Sequence, residues 1–512
     1  MQSRTAPRLT ASIIAFGLLV TGCGLKPDAL RSLKQAGANG QLPGGEGTLP
    51  GAVDSSGNPI AQGTGAPGTT GGGGTGGLPG TGGGGTGGGG TGGGGTGGGG
   101  TGSGGTGGGP ELTRAPCSTP TGGNTTGITS TTIRIGAHAP QTGTGAPLPP
   151  SFKDGIQAYW DLKAHYICGR HVIVDFQDDT YTPAGAKAVC GPMSRRDFVV
   201  FGAAGTDQIQ ACATMPDIVD HNVPYLSGGV TSNGLTRLPS YFALSLTYEQ
   251  QGALVVRNAI AQGFAHPKTA GGKWAIVTGQ SGNFDDATRG AQNALRAAGI
   301  PFDTIRVNQS DDGLQQRAVA TGDQLSQAGY GVVYQVTSPG YFVYEVGKAN
   351  KNPATGFSTP TYNPMYTGPG TTMTEVTVAQ LVCSNATNQT VRANFLAPFP
   401  GLDKATADFK AATNNSYDDI YWALWGSAQL IEQMLNAANR NLTRENFLAT
   451  LAGTKFPAGV FAPVHYPGPV NPGSHFGGTG AFSQKLDCSQ TEPNQQGKGA
   501  GTWTTVGGRI DL

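Results

Sequence analysis

Asp197-Phe-Val-Val-Phe-Gly-Ala-Ala-Gly-Thr206 runs from an apolar stretch into a turn of small residues and then into a helical pattern. An unbroken apolar run of this length, bounded by glycine, reads as a strand buried on both faces. The small residues Gly202-Ala203-Ala204-Gly205 allow close backbone approach at the strand's carboxyl end. Thr206 then opens a helix expected over residues 207–220, and its hydroxyl either caps that helix or binds a carboxylate. The same alternation continues outward on both sides. Strands are expected at 132–137, 171–176, 223–226, 273–278, 301–307, 331–336 and 501–506, and helices at 152–164, 183–189, 248–262, 285–298 and 313–328. Tyr417-Asp-Asp-Ile-Tyr-Trp-Ala-Leu-Trp425 leads into a helix over 427–438, with Ile420, Leu424, Leu430, Ile431 and Met434 near helical spacing, which reads as core. The fold class expected is α/β, with parallel sheets covered on both faces.

Composition divides the chain. Of its 88 glycines, 39 fall between Gly37 and Gly109, and Gly-Gly-Gly-Gly-Thr repeats from Gly82 to Thr101. Nothing apolar recurs there for stacking to bury, so the tract reads as a disordered Gly/Thr-rich linker. As a flexible coil it would reach roughly 45 Å. Arg4 and Arg8 precede the apolar run Ala11-Ser-Ile-Ile-Ala-Phe-Gly-Leu-Leu-Val20, too short to span a bilayer and suited to a signal peptide. Val20-Thr21-Gly22-Cys23 resembles a bacterial lipobox, which would make residues 1–22 a lipoprotein signal peptide and Cys23 the lipidated N-terminus. The expected order is the signal, a lipid-anchored linker over 23–116, and a folded domain over 117–512, held outside the bacterial cell membrane.

Net charge is +1, from 32 basic and 31 acidic residues, so no general field draws the protein to nucleic acid. Six cysteines follow Cys23: Cys117, Cys168, Cys190, Cys212, Cys383 and Cys488. An even number in an exported chain, with no C-x-x-C pair, favours disulfides over a metal site. Cys190 and Cys212 lie on consecutive expected helices of one βαβα unit, which suggests a bond between them. Cys383 with Cys488, and Cys117 with Cys168, follow by elimination.

Enzyme readings find little support. The seven histidines form no H-x-x-x-H pair, and Gly279-Gln-Ser-Gly282 lacks the spacing of a nucleophile elbow. Adjacent acids such as Asp178-Asp179 and Asp418-Asp419 read as caps and solvated charges. No catalytic residue, cofactor or metal is expected, and His138 reads as a partly exposed structural residue.

Four pieces in order carry a resemblance: Ile133-Arg-Ile-Gly-Ala-His-Ala-Pro-Gln-Thr-Gly143, Val174-Asp-Phe-Gln-Asp-Asp179 with Thr182-Pro-Ala184, Val200-Phe-Gly-Ala-Ala-Gly-Thr206, and Val223-Pro-Tyr-Leu-Ser-Gly-Gly-Val-Thr231. No single piece is specific, but their order and spacing are. From about residue 131 onward the chain resembles the type I periplasmic binding proteins, in particular the leucine/isoleucine/valine-binding branch of solute receptors for ABC importers. The resemblance implies two Rossmann-like lobes joined by three crossovers, near Thr247, Phe399 and Val464. One lobe would take residues 130–247 and 400–464, the other 248–399 and 465–512.

The resemblance also implies a ligand clamped between the lobes. Ala204, Gly205 and Thr206 would meet its carboxylate, Gly229 and Thr231 would supply a carbonyl and a hydroxyl, and Leu148 would touch its side chain. In the second lobe Asn283, with Phe284 adjacent, and Ser338 stand where the family often has tyrosines, although Tyr341 lies within one turn of Ser338. Thr367-Gly-Pro-Gly370 has no acid where one would normally meet a ligand ammonium. Asp285, Asp286 or Glu375 would have to substitute, or the ligand is not an α-amino acid. The function implied is a solute-binding lipoprotein of an ABC importer, taking an amino-acid-like or carboxylate-bearing solute and partnering a permease and ATPase subunits. A ligand-sensing receptor subunit without transport is the alternative.

Overall fold

The computed structural model describes residues 119–142, 151–228, 232–264, 273–280, 282–309, 313–349, 362–370, 373–384, 390–466, 475–491 and 500–512. The expected signal peptide, Cys23, the glycine linker and Cys117 lie outside them. Among the described residues no helix is long and apolar enough to cross a membrane.

Buried apolar runs form two sheets. The first joins β1 (Thr132–Ala139), β2 (His171–Asp178), β3 (Val199–Gly202), β4 (Tyr225–Ser227) and β5 (Tyr241–Ala243) in the order β2-β1-β3-β4-β5, parallel throughout. The second contains β6 (Trp274–Gly279), β7 (Phe302–Val307), β8 (Val332–Val336), β9 (Met365–Pro369) and β10 (Arg392–Ala397). A small ladder, β11 (Lys455–Phe456) with β12 (Val464–His465), stands apart, and β13 (Gly480–Asp487) and β14 (Thr502–Asp511) complete the second sheet. Its order is β14-β13-β10-β9-β8-β6-β7, parallel except where β13 meets β10 and β14.

Helices cover both faces of each sheet, as fully buried strands require. On the first sheet, helices Ser151–Trp160, Asp419–Ala438 and Arg444–Leu451 contribute to one core, and Pro183–Arg196 and Thr206–Ala213 to the other. On the second, Leu314–Ala328, Pro339–Ala349 and Val376–Cys383 share one core, and Tyr248–Ala261 and Asp285–Ala297 the other. The helix entering the second sheet begins with a capping box, in which the Thr247 hydroxyl accepts from the Gln250 N–H and the Gln250 side chain accepts from the Thr247 N–H.

Several helix boundaries differ from expectation. The helix expected over 152–164 ends at Trp160, and the one expected over 427–438 begins at Asp419, where the Asp418 carboxylate caps it by accepting from the Tyr421 N–H. Helix Pro183–Arg196 runs past the end expected at residue 189 and through Pro192, whose missing N–H costs a helical hydrogen bond. Burial of Cys190, Met193 and Ser194 on its face outweighs the lost hydrogen bond. The helix expected over 207–220 breaks into Thr206–Ala213 and Pro216–Val219, because Pro216 lacks an N–H and holds Met215 extended.

Cys190 bonds Cys212, with Cα atoms 5.8 Å apart, and Cys383 bonds Cys488, with Cα atoms 5.3 Å apart. Cys168 is disulfide-bonded as well. The Cys383–Cys488 bond closes a separation of 105 residues and pins helix Val376–Cys383 to the segment after β13. Replacing both of these cysteines with serine should cost about 2–4 kcal/mol of stability, because so long a closed loop restricts the unfolded chain. Urea denaturation would show this as a lower midpoint, and an unmoved midpoint would refute it.

Candidate functional site

The site begins where β3 ends. Gly202 has no room for a side chain, since a Cβ there would lie 2.3 Å from the Tyr225 hydroxyl. Gly205 sits at φ +88°, which favours glycine, and is the cap residue of helix Thr206–Ala213. Thr206 is therefore the first helical residue, and its hydroxyl caps nothing. Of the two roles read for that hydroxyl, capping is absent. Asp207 already stands in the same first turn, with Oδ1 buried and unpaired and its pKa raised by burial.

Gly205 faces a cavity of about 50 Å³, whereas Gly202, Thr206 and Asp207 are not among the residues that line it. Ala203, Ala204 and Gly205 after β3 and Gly228 after β4 line it, so it lies beyond the carboxyl ends of the strands, where open parallel sheets hold ligands. Phe152 comes from helix Ser151–Trp160, and Asp419, Ile420, Ala423, Leu424 and Ser427 from helix Asp419–Ala438. Phe399 and Phe461 add apolar surface. Glu375, which precedes a helix of the second sheet, lines the cavity opposite these elements of the first. A cavity of about 150 Å³ holds benzene, so a solute of that size enters this one only as its walls part.

The three acids considered for a ligand ammonium have different fates. Asp285 pairs with Arg306 at 2.8 Å. Asp286 accepts from the Asn233 N–H at 2.9 Å and from the Ser232 hydroxyl at 3.3 Å, and pairs with Arg289 at 2.5 Å. Arg289 also pairs with Glu249 at 2.7 Å. This cluster clasps the loop after β4 to the helices Tyr248–Ala261 and Asp285–Ala297. Glu375 alone of the three lines the cavity, its carboxyl pushed up to about 8 by burial first and by the Asp418 charge second.

Other expected site residues lie elsewhere. Phe284 caps the start of helix Asp285–Ala297, with its ring against the end of β6 at Gly279. The Ser338 N–H donates to Gln309 Oε1, and the Ser338 hydroxyl accepts from the Tyr341 N–H at 3.4 Å. Neither Phe284 nor Ser338 lines the cavity. Tyr341 is fully buried, with its hydroxyl 2.7 Å from Thr321 Oγ1. Leu148, Gly229, Thr231 and the side chain of Asn283 lie outside the described residues.

His138 differs from expectation, being 0% exposed. Its Nδ1 lies 2.8 Å from Asp179 Oδ2 and its Nε2 2.7 Å from the Tyr225 hydroxyl, tying β1 to β4 and to the turn after β2. That turn places Thr180 and Tyr181 at φ +53° and +56°, a left-handed pair that the Asp178 and Asp179 carboxylates hold by accepting from their N–H groups. The donor atoms of His138, Cys190 and Cys212 lie within 4.8 Å of one another, but both sulfurs are consumed in the disulfide.

Two helix-covered sheets, parallel apart from β13 and β14, with residues from both lining a cavity, agree with the sequence comparison. A family model described as periplasmic binding protein matches residues 132–475. The chain belongs to the periplasmic binding protein family. No curated protein matches the sequence detectably. Among solved structures, a fatty acid ABC transporter substrate-binding protein from Thermomonospora curvata is 16% identical over 76% of this chain and 95% of that one, with a TM-score of 0.59. A solute-binding protein of an ABC transporter from Rhodopseudomonas palustris, in complex with 3,4-dihydroxybenzoic acid, is 17% identical over 74% and 97%, with a TM-score of 0.56. A leucine-binding protein from Thermotoga maritima is 12% identical over 72% and 98%, with a TM-score of 0.56. At these identities the likeness is one of fold.

In this periplasmic binding protein the apolar lining largely escapes sequence reasoning. Ile420, Ala423, Leu424 and Ser427 fall at helical spacing on one face. Periodicity marks that face as inward, but core and cavity share the signal.

Proposed function

We propose that this protein is the extracytoplasmic solute-binding lipoprotein of an ABC importer, anchored through Cys23 on the glycine linker. It captures a small amino-acid-like or carboxylate-bearing solute between two lobes, residues 130–247 with 400–464 and residues 248–399 with 465–512. The observation that carries this reading is a cavity with an apolar face at the ends of β3 and β4, met by Glu375 from the second sheet. Family membership supports it, and so do solved relatives of the same fold named for a fatty acid, an aromatic acid and leucine. The solute favours the closed arrangement to the extent that it binds that arrangement more tightly than the open one. A permease with ATPase subunits would receive the closed form.

In this reading Thr206, with its uncapping hydroxyl, and Thr231 bind the polar end of the solute, Ala204, Gly205 and Gly229 approach it with backbone, and Leu148, Asn283, Phe284 and Ser338 border it as the lobes move. Melting temperatures measured with amino acids, amides, aliphatic acids and aromatic acids should single out one class, since a ligand selective for the folded state raises the transition. Thr206→Ala and Thr231→Ala should each weaken the best binder by about 1–3 kcal/mol. Full affinity in both variants would remove these residues from the site.

A further inference from the structure

Glu375 is placed unlike an ordinary surface acid. It is the cap residue of helix Val376–Cys383, a position where the shorter Asp, Asn, Ser and Thr side chains accept from the first N–H groups, and its longer side chain makes no such bond. Its backbone is fixed on several sides, the carbonyl accepting from the N–H groups of Val378 at 3.0 Å and Ala379 at 3.2 Å and from Trp503 Nε1 at 3.0 Å. The side chain lines the cavity instead. Among the described residues its carboxylate has no hydrogen bond and no ion pair.

The charges described around it offer no compensation. Among the described residues the only other ionisable one lining the cavity is Asp419, and Asp418 stands beside it, its own carboxylate accepting from the Ser151 hydroxyl and the Tyr421 N–H. On helix Ser151–Trp160 the charged residues nearest Phe152 in the chain, Lys153 and Asp154, are exposed to solvent. On the turn Leu402–Lys404, Asp403 and Lys404 pair with each other at 3.2 Å. The β3 turn contributes Ala203, Ala204 and Gly205, and the remaining segments contribute Gly228, Phe399 and Phe461, none of them charged. Glu375 is itself only half-buried, so its carboxylate keeps part of its water until a solute covers the cavity; once covered, the anion loses that water without gaining a cation, whereas the protonated acid loses far less. The helix start favours the anion modestly, and burial with the Asp418 charge outweighs it.

We propose that Glu375 closes over the bound solute as a neutral carboxylic acid, so that capture takes up one proton and selects an apolar solute ending in a hydrogen-bond acceptor over one bearing an ammonium. This rests on the reading of the cavity as the solute site. The proton comes from solvent as the walls close, and the acid's O–H then donates to a carboxylate or carbonyl oxygen. Open to water, Glu375 has an ordinary carboxyl value near 4.5 and is ionised at neutral pH, and in the closed cavity it rises to about 8. Closure is therefore favoured most below about 4.5, weakens as pH rises towards 8, and levels off above that. An ammonium-bearing solute would hold Glu375 ionised and reverse that dependence.

Octanoate, benzoate and leucine can each be titrated calorimetrically into the mature chain at pH 6 and 8.5, in two buffers of different ionisation enthalpy. The expected result is that octanoate or benzoate binds at least tenfold more tightly at pH 6, with uptake of about one proton, and that leucine does not compete. Glu375→Gln, with an unchanged melting temperature, should bind with an affinity that no longer changes between pH 6 and 8.5 and with no proton uptake. Leucine binding that strengthens with pH, or acid binding without proton uptake, would overturn the proposal. If none of the three binds, the solute class proposed above fails, and Glu375 is still tested. With whichever solute raises the melting temperature most, its carboxyl carbon, assigned in NMR by difference from Glu375→Gln, should titrate near 8, and a midpoint near 4.5 in that complex would overturn the proposal whatever the solute class.

Discussion

Ala204→Phe is expected to weaken solute binding by at least about 100-fold while the protein stays folded. Ala204 lines a cavity of about 50 Å³, between the end of β3 and the face of helix Asp419–Ala438. A phenyl ring exceeds that space, since a cavity that holds benzene measures about 150 Å³. The ring must either occupy the solute's place or hold the walls apart. Overpacking of this kind typically costs about 1–3 kcal/mol, and here it falls on the closed arrangement alone, because Ala204 is only half-buried and its substituent can lie in solvent when the walls separate. The melting temperature without solute should therefore move little, and the rise produced by solute should vanish. A variant that melts far below the wild type would show instead that Ala204 is a packing residue of the first core.

Arg444→Met should destabilise the protein by about 3–5 kcal/mol, the largest effect expected of any single substitution here. Arg444 is 2% exposed. Its Nε donates to the Phe198 carbonyl at 3.2 Å, and its Nη2 to those of Ser194 at 2.7 Å and Asp197 at 2.5 Å. Burial lowers its pKa to about 10, so it remains charged at neutral pH. The side chain thus fastens helix Arg444–Leu451 to the end of helix Pro183–Arg196 and to the entry of β3, whose far end carries the cavity residues. Methionine keeps much of the apolar stem and leaves three carbonyls buried without this donor. Arg444→Lys should recover part of the loss, because an ammonium keeps the charge but cannot reproduce the planar fork. Urea denaturation measures both, and equal midpoints for wild type and Arg444→Met would refute the argument.

Much of the fold is legible in the sequence because its central strands are short, apolar and bounded by glycine or proline. Trp274–Gly279 and Val332–Val336 are buried along their whole length, and the pattern says so. Other strands are hidden for physical reasons. Met365–Pro369 ends in Gly368-Pro369, a turn signal overridden because its neighbours β8 and β10 pair with it from both sides. Gly480–Asp487 contains Ser483 and Gln484, polar residues buried because Ser483 donates to Asn394 Oδ1 and Gln484 to the Phe399 carbonyl. Tyr241–Ala243 is only three residues long, below what periodicity resolves.

The site was legible on one side only. The small residues after β3 announce a close approach, and Ala204 and Gly205 do line the cavity. Across from them, Glu375 belongs to a group of three acids that sequence cannot separate. What separates them is the position of Arg306 and Arg289, which bind Asp285 and Asp286 and leave Glu375 facing the cavity. Such pairings depend on tertiary placement and leave no mark in local sequence. His138 illustrates the converse, since a lone histidine in a strand gives no sign of the Asp179 and Tyr225 partners that bury it.

The central claim is that one small solute is held in the cavity between the two sheets. Its most direct test is calorimetric titration of the wild type and of Ala204→Phe, side by side, with whichever solute raises the melting temperature most. The account predicts one solute bound per wild-type chain and no measurable binding to the variant. Equal affinity and stoichiometry in a folded Ala204→Phe would place the solute elsewhere and contradict it.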